Sequence, residues 1–349
     1  MASPDLTIDL SAIVTNWKAL DRMTGASVET AAVVKADGYG LGADRVVTSL
    51  RRAGARSFFV AIAEEGPAIR RAAGPDAKIF VFGGHMDGDA PILAEHGLIP
   101  LLNSGQQVKR HLASLPDHPL GLQIDTGMSR LGMSSREFAS LRHMIDPRGT
   151  QLVISHLACS DNKSDKRNQA QLAAFRKLTA GFPAPRSLSA TGGILLGPEY
   201  HFDMCRPGIG LYGGAPFLNA TPVVSLDAPV IQTRELSVGD YVGYGADWTA
   251  KRVSRIATIA AGYADGLHRV MGSGSSFSCW VGDIRCPVVG RISMDLITID
   301  ITDIDGTPER VQVLNEHQTI DDLAAVAGTI GYEILTTLGQ RFRRRYIGG

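Results

Sequence analysis

From residue 11 to about residue 210 the chain repeats one unit, a short apolar run closing on a glycine or a polar residue and then a helix-length amphipathic stretch. The apolar runs are Ala31–Val34, Phe58–Ile62, Ile79–Phe82, Ile99–Leu102, Leu120–Ile124, Leu152–Ser155, Leu188–Ala190 and Met204–Cys205. Between them Gly42–Arg52, Glu64–Ala73, Gln106–Leu115, Ser134–Ile145 and Lys166–Thr179 carry apolar side chains at helical spacing. Ser134-Ser135-Arg136-Glu137 has the residues of a capping box and opens one of these helices. Strands alternating with helices mean parallel βα units with right-handed crossovers. An open doubly wound sheet accommodates part of this pattern. Eight runs, however, are what a closed (β/α)8 barrel requires, and the sequence is read as that fold.

After about Thr221 the texture changes. Short β-branched runs follow one another: Val230–Thr233, Tyr241–Val242, Arg255–Ala260, Phe277–Val281, Ile284–Val289 and Leu296–Ile301, with Gly-Asp turns at 239–240 and 282–283. One helix, over about Asp321–Leu338, precedes a basic stretch from Arg341 to Tyr346 that reads as a solvated surface. The expectation is therefore an α/β chain: a (β/α)8 TIM-type barrel over residues 9–221, then a mostly β domain over 222–349, with residues 1–8 packing against the second domain.

Composition narrows the class. The chain has 349 residues, 44% of them hydrophobic, enough for a large core without disulfides or metals. Thirty-five basic and 35 acidic side chains cancel, which argues against nucleic-acid binding as the main function. No apolar run approaches the roughly 20 residues of a membrane span, so no membrane association is expected. The start, MASPDLTIDL, lacks the basic and apolar regions of a secretory signal, and the four cysteines are scattered with no CxxC pair. Both features point to a reducing cytoplasm.

Several segments place chemistry at strand ends, where barrel enzymes keep their sites. Lys35 directly follows an apolar strand. Partial burial there lowers a lysine pKa and frees a nucleophilic amine for a carbonyl partner, although a strand-end lysine in solvent reads equally well. Arg206 ends the eighth strand, and the turn Pro207-Gly208-Ile209-Gly210 after it exposes backbone N–H groups suited to phosphate. Thr191-Gly192-Gly193, after the seventh strand, adds a hydroxyl and further N–H groups. Asp125 and Arg130 follow the fifth strand, and an arginine fork suits a substrate carboxylate. His156 ends the sixth strand and is a relay candidate. In the second domain Gly262-Tyr263-Ala264-Asp265-Gly266 reads as well as a hairpin turn, and Met294 reads by default as core.

Taken together and in order, these segments resemble the alanine racemases, pyridoxal-phosphate enzymes that interconvert L- and D-alanine. VVKADGYGLGA is similar to that family's cofactor-lysine motif, and DTGMSRLG, MCRPGIGLYG, VGYGADWTA, AAGYADG and ISMD are similar to its later blocks. The resemblance spans Asp9 to Tyr346. It implies a barrel with a β domain, the cofactor pyridoxal 5'-phosphate, and a homodimer whose sites are shared across the interface. It also assigns roles. Lys35 would carry the cofactor covalently and act as one base, and Tyr263 from the second subunit would act as the other. Met294 and Asp295 would reach the substrate across the same interface. Arg206 would face the pyridine nitrogen, His156 would link Arg206 to Tyr263, and Arg130 would bind near the substrate carboxylate. Tyr39, Thr191, Gly192, Gly208, Ile209 and Tyr346 would surround the phosphate.

The chain departs from the family pattern in three places. Gln123 stands where some members carry a carbamylated lysine that braces the arginine, so Arg130 must be braced otherwise. Thr191-Gly192 replaces a frequent Asn-Ser pair, and Gly38 and Leu41 replace Ala and His. The alternatives on the same scaffold are a racemase of serine or lysine, a basic amino-acid decarboxylase, and a non-catalytic pyridoxal-phosphate carrier. The decarboxylases need a β-domain cysteine and aspartate, and the carriers lack a β domain. Tyr263 in its GYADG setting fits racemisation better than either.

Overall fold

In the computed structural model, which describes residues 3–146, 149–272 and 274–349, the apolar runs of the first two-thirds of the chain pair side by side as parallel strands. The ladder runs from Ala32–Val33 through Ser57–Val60, Lys78–Val81, Leu98–Leu102, Leu120–Gln123 and Thr150–Ile154 to Arg186–Ser187. It then closes on itself. The Asp203 and Arg206 amides donate to Arg186 and Ser189 carbonyls, Met204–Cys205 pairs with Glu29–Thr30, and the Ala31 and Val33 amides donate to Cys205 and Pro207. Because Glu29–Thr30 and Ala32–Val33 are two halves of one strand, the ring has eight strands, the closed (β/α)8 barrel expected from the sequence. Its strands are buried on both faces, as parallel strands under helices must be.

Local chemistry sets the helices between them. Ser104 caps Gly105–Ser114 by accepting the Gln107 amide, and Asp165 caps Lys166–Thr179 by accepting the Arg167 amide. The capping box at residues 134–137 is only half formed. Ser134 accepts the Glu137 amide, but the Glu137 carboxylate reaches across to the Gly105 amide at 2.6 Å. That helix ends at Leu141 and tightens into a 3₁₀ turn over Arg142–Met144. The seventh strand also differs from expectation: Arg186–Ser187 enters the ladder, whereas Leu188–Ala190 turns toward the next helix. Leu188 is fully buried in either setting, and its apolarity misplaced the strand.

The chain divides into Ile13–Thr221, which contains the barrel, and a second unit of Pro222–Gly349 joined by the segment up to Ala12. The second unit is built on an eight-stranded, mainly antiparallel sheet in which Val224–Leu236 pairs with Asp5–Asp9, Arg310–Leu314 and Ser254–Ile259. Besides the short Trp248–Thr249, which pairs with Tyr241–Val242, two strands were not apparent from the sequence, Asp5–Asp9 and Arg310–Leu314. A third lies in the basic stretch. Arg343–Ile347 runs parallel to Asp5–Asp9, with Arg343 paired to the Asp5 carboxylate, so this segment is a sheet edge and not a loose solvated tail. The expected helix over 321–338 is two helices, Ile320–Ala327 and Gly331–Thr337. Gly328 at φ +70° stops the first, and the second starts where a Cβ on Gly331 would lie 2.5 Å from Asp321 Oδ1.

Candidate active site

Lys35 leaves the first barrel strand half-buried, with its Nζ 6.0 Å from the centre of the Phe82 ring. Phe82 stacks on Phe59, which stacks on Phe80, so the amine lies beside the outer ring of an aromatic stack. Burial, reinforced by the positive charge of Arg130, holds the Lys35 pKa below the usual lysine value, and Glu65 opposes them. The turn after Lys35 is unusual. Ala36, Asp37, Gly38 and Tyr39 have φ of 53°, 54°, 63° and 57°, a full left-handed turn containing three non-glycine residues. The Glu65 carboxylate holds it by accepting the Ala36 and Ala61 amides, each at 2.7 Å. The sequence reading missed Glu65, because nothing local marks a helix-start glutamate as the partner of a neighbouring strand's end.

The left-handed turn swings Tyr39 against the turn after the eighth strand. Its ring stacks on Tyr212 at 4.5 Å, and Tyr212, fully buried, donates its hydroxyl to the Val33 carbonyl at 3.0 Å. A Cβ on Gly208 would lie 2.2 Å from the Tyr39 hydroxyl, so glycine is required there for the approach. The Gly208 and Gly210 amides both donate to Thr191 Oγ1 at 3.2 Å, which fills its lone pairs and leaves its proton as the hydroxyl's remaining hydrogen-bonding capacity. Gly192, next to Thr191, is buried against Ser160 and Asp161, and Ile209 is buried at the start of a 3₁₀ turn. The barrel thus brings Tyr39, Thr191, Gly208 and Gly210 into one cradle.

Arg206 is 1% exposed. Its guanidinium donates to the Ser187 hydroxyl and to the Ser155 and Leu188 carbonyls, at 2.7 and 3.5 Å for the carbonyls, and sits 5.9 Å from the Phe59 ring centre. All of these partners are neutral. Burial lowers its pKa to about 10, so it remains a cation at neutral pH. Among the described residues its hydrogen bonds do not reach the His156 ring, and the two interact through charge. Burial first, then Arg206, Arg130 and Lys35, push the His156 pKa down to about 3 and keep the imidazole neutral.

Arg130 is exposed on the loop after the fifth strand, which Asp125 organises by accepting the Gly127, Met128 and Ser129 amides. Gln123, buried at the end of that strand, donates to the Leu131 carbonyl at 3.3 Å, and its Oε1 has no hydrogen-bond partner.

The remaining sequence-derived residues lie in the second unit. Tyr263 opens a 3₁₀ turn and is 40% exposed, Met294 is 54% exposed, and Asp295 is exposed beside it. The two turns are joined directly, the Tyr263 amide donating to the Ser293 carbonyl and the Ala264 amide to the Met294 carbonyl, both at 3.0 Å. Tyr346 lies half-buried on the edge strand Arg343–Ile347, opposite Ile8.

Comparison with known proteins gives a consistent result. The family model described as alanine racemase, N-terminal domain, matches residues 8–216, and that of the C-terminal domain matches residues 223–346. The chain is 55% identical over 349 residues to an alanine racemase of Dinoroseobacter shibae, covering 100% of this chain and 99% of the relative. It is 41% identical to an alanine racemase of Rhizobium meliloti, covering 100% and 98%. Among solved structures, the alanine racemase of Bartonella henselae with covalently bound pyridoxal phosphate superposes with a TM-score of 0.93 at 36% identity, covering 99% of this chain and all of that one. The biosynthetic alanine racemase of Pseudomonas aeruginosa superposes at 0.91 and 34%, with full coverage of both chains.

Proposed function

The chain belongs to the alanine racemase family, and from that premise we propose how its own residues carry out the reaction. Its activity is the pyridoxal-phosphate-dependent interconversion of L- and D-alanine. The residues present suit that cofactor: a lysine of lowered pKa, a Thr191 hydroxyl with its proton free to donate beside a glycine turn, and a buried cation whose hydrogen-bond partners among the described residues are all neutral. When bound, pyridoxal phosphate stabilises negative charge at the substrate α-carbon.

Lys35 would carry the cofactor through Nζ, and Tyr39, Thr191, Gly192, Gly208 and Ile209 would hold its phosphate. Tyr346 was also assigned there from the sequence. Arg206 would face the ring nitrogen of the bound cofactor and, as a guanidinium, would keep its own protons there. Arg130 orients the substrate carboxylate, and His156, a neutral imidazole, is the link between Arg206 and Tyr263. Inversion needs a base on each face of the α-carbon. Lys35 Nζ takes or returns the proton on one face, and the hydroxyl of the partner subunit's Tyr263 serves the other. Met294 and Asp295 line the substrate side of the same shared site. The observation that carries this reading is the half-buried Lys35 amine beside the Phe82 ring at the end of the first barrel strand, where burial holds its pKa below the usual lysine value. The exposed Tyr263 and Met294, joined on one surface, support the homodimer. Four free cysteines support a cytoplasmic enzyme, there supplying D-alanine for biosynthesis.

The test is proton NMR of the holoenzyme in D₂O with each enantiomer separately. We expect Tyr263→Phe to slow α-proton loss from one enantiomer far more than from the other. Equal slowing of both would overturn the two-base assignment.

A further inference from the structure

Arg341 belongs to the stretch whose arginines read as solvated, yet all three of its guanidinium nitrogens donate to carboxylates. Nε and Nη2 donate to the two carboxylate oxygens of Asp265 at 2.7 and 2.8 Å, and Nη1 donates to Asp295 Oδ1 at 2.6 Å. Asp265 is only 3% exposed and also accepts the Gly262 amide at 3.0 Å, so its charge is set deep in the turn that begins at Tyr263. Asp295 follows Met294 on the neighbouring turn. The backbone joins the same pieces, since the Gly339 amide donates to the Asp265 carbonyl and the Tyr263 and Ala264 amides donate to the 293–294 carbonyls. A guanidinium is the side chain that can make this contact. Its fork meets one carboxylate with two parallel N–H groups and still has donors facing a second, whereas an ammonium offers a point charge.

We infer that Arg341 is a positioning residue for racemisation. Its guanidinium clamps the Tyr263 turn to the Met294–Asp295 turn, so that the hydroxyl base and its substrate-side neighbours are presented as one rigid piece. The inference rests on the reading of Tyr263 as the second base. A base held loosely by even about 1 Å loses up to ~100-fold in rate. The loss from a weakened clamp therefore falls on the half-reaction that Tyr263 serves.

The experiment compares holoenzymes of Arg341→Gln, Arg341→Lys, Tyr263→Phe and the Tyr263→Phe/Arg341→Gln double variant by α-proton exchange in D₂O, each enantiomer measured alone. Arg341→Gln should slow exchange of the enantiomer most affected by Tyr263→Phe about tenfold more than exchange of the other. Arg341→Lys, which keeps the charge without the fork, should show the same skew in smaller measure. In the double variant the Arg341 change should add little, because the group it positions is already gone. Equal slowing of both enantiomers by Arg341→Gln, or full additivity in the double variant, overturns the inference. If Tyr263→Phe itself shows no skew, the second-base reading fails separately. The clamp is then judged by amide hydrogen exchange: faster exchange at Tyr263 and Ala264 in Arg341→Gln upholds it, and unchanged exchange overturns it.

Discussion

Glu65 acts on Lys35 from the 3₁₀ turn that follows the neighbouring strand, through a carboxylate that accepts the amide just after the lysine. The left-handed turn it supports places three non-glycine residues at positive φ, a strain on the order of 1 kcal/mol each. Asp37 Oδ1 supports the far end of the turn by accepting the Ala43 amide at 2.8 Å. A Glu65→Gln variant offers only one accepting oxygen, so one amide meets an NH₂ group. We expect a loss of about 1.5 kcal/mol in unfolding free energy, measured by denaturant titration. Because the Glu65 charge raises the Lys35 pKa, its removal should move the Lys35 titration to lower pH. The pH dependence of Lys35 acylation, followed by peptide mass spectrometry, reads that shift, and an unmoved titration would show that the coupling is negligible. Lys35, Arg206 and Thr191 were legible in the sequence because they sit where apolar runs end. Glu65 was not, because its role depends on a contact between neighbouring βα turns that no local spacing encodes.

At the level of elements, the turn after Lys78–Val81, the helix Gly105–Ser114 and the segment before Leu120 share a buried histidine contact. His85 Nδ1 and His111 Nδ1 lie 3.0 Å apart, and His111 Nε2 is 3.1 Å from the His118 carbonyl. A carbonyl only accepts, so His111 carries its proton on Nε2 and His85 donates to His111 Nδ1. A further proton on the pair would set two N–H groups against each other or force a tautomer change. Burial, together with Arg110 and His118 for His85 and with the facing imidazoles for His111, lowers both pKa values; Asp89 and the His118 backbone oppose this. As pH falls, the unfolded chain takes up these protons first. The stability is therefore complete above about pH 6.5 and is lost below it, with His156 contributing in the same direction. We expect the melting temperature to drop between about pH 7.5 and about pH 5, and His85→Gln to reduce that drop. An unchanged drop would place the acid sensitivity elsewhere. The barrel was legible because buried parallel strands are written as uninterrupted apolar runs. Arg343–Ile347 was not, since an edge strand needs to bury only alternate side chains and its arginines disguised it.

At the scale of the whole molecule, Tyr241, Tyr244 and Val253 are each about two-thirds exposed on the second unit, together with Tyr263 and Met294. Apolar side chains in that number on one unit suit a surface that another copy covers. If each site takes Lys35 from one subunit and Tyr263 from the other, two inactive variants can complement one another. A mixed dimer of Lys35→Ala and Tyr263→Phe has one site with both defects and one with neither. Co-refolding equal amounts makes half the dimers mixed, so activity should recover to about one quarter of the wild-type value. No recovery, with mixed dimers demonstrated by mass, would show that each site draws both residues from one chain.

The pairing of Asp5 with Arg343, 338 residues away, has a consequence for biosynthesis. A ribosome adds roughly 5–20 residues per second, so the strand holding Leu6 and Ile8 waits on the order of tens of seconds for its parallel neighbour to be made. The ladder of the barrel draws only on strands between Glu29 and Cys205 and has no such delay. The nascent chain therefore carries the apolar strand Asp5–Asp9 with one side unpaired until Arg343–Ile347 has been made, and only then is that edge covered.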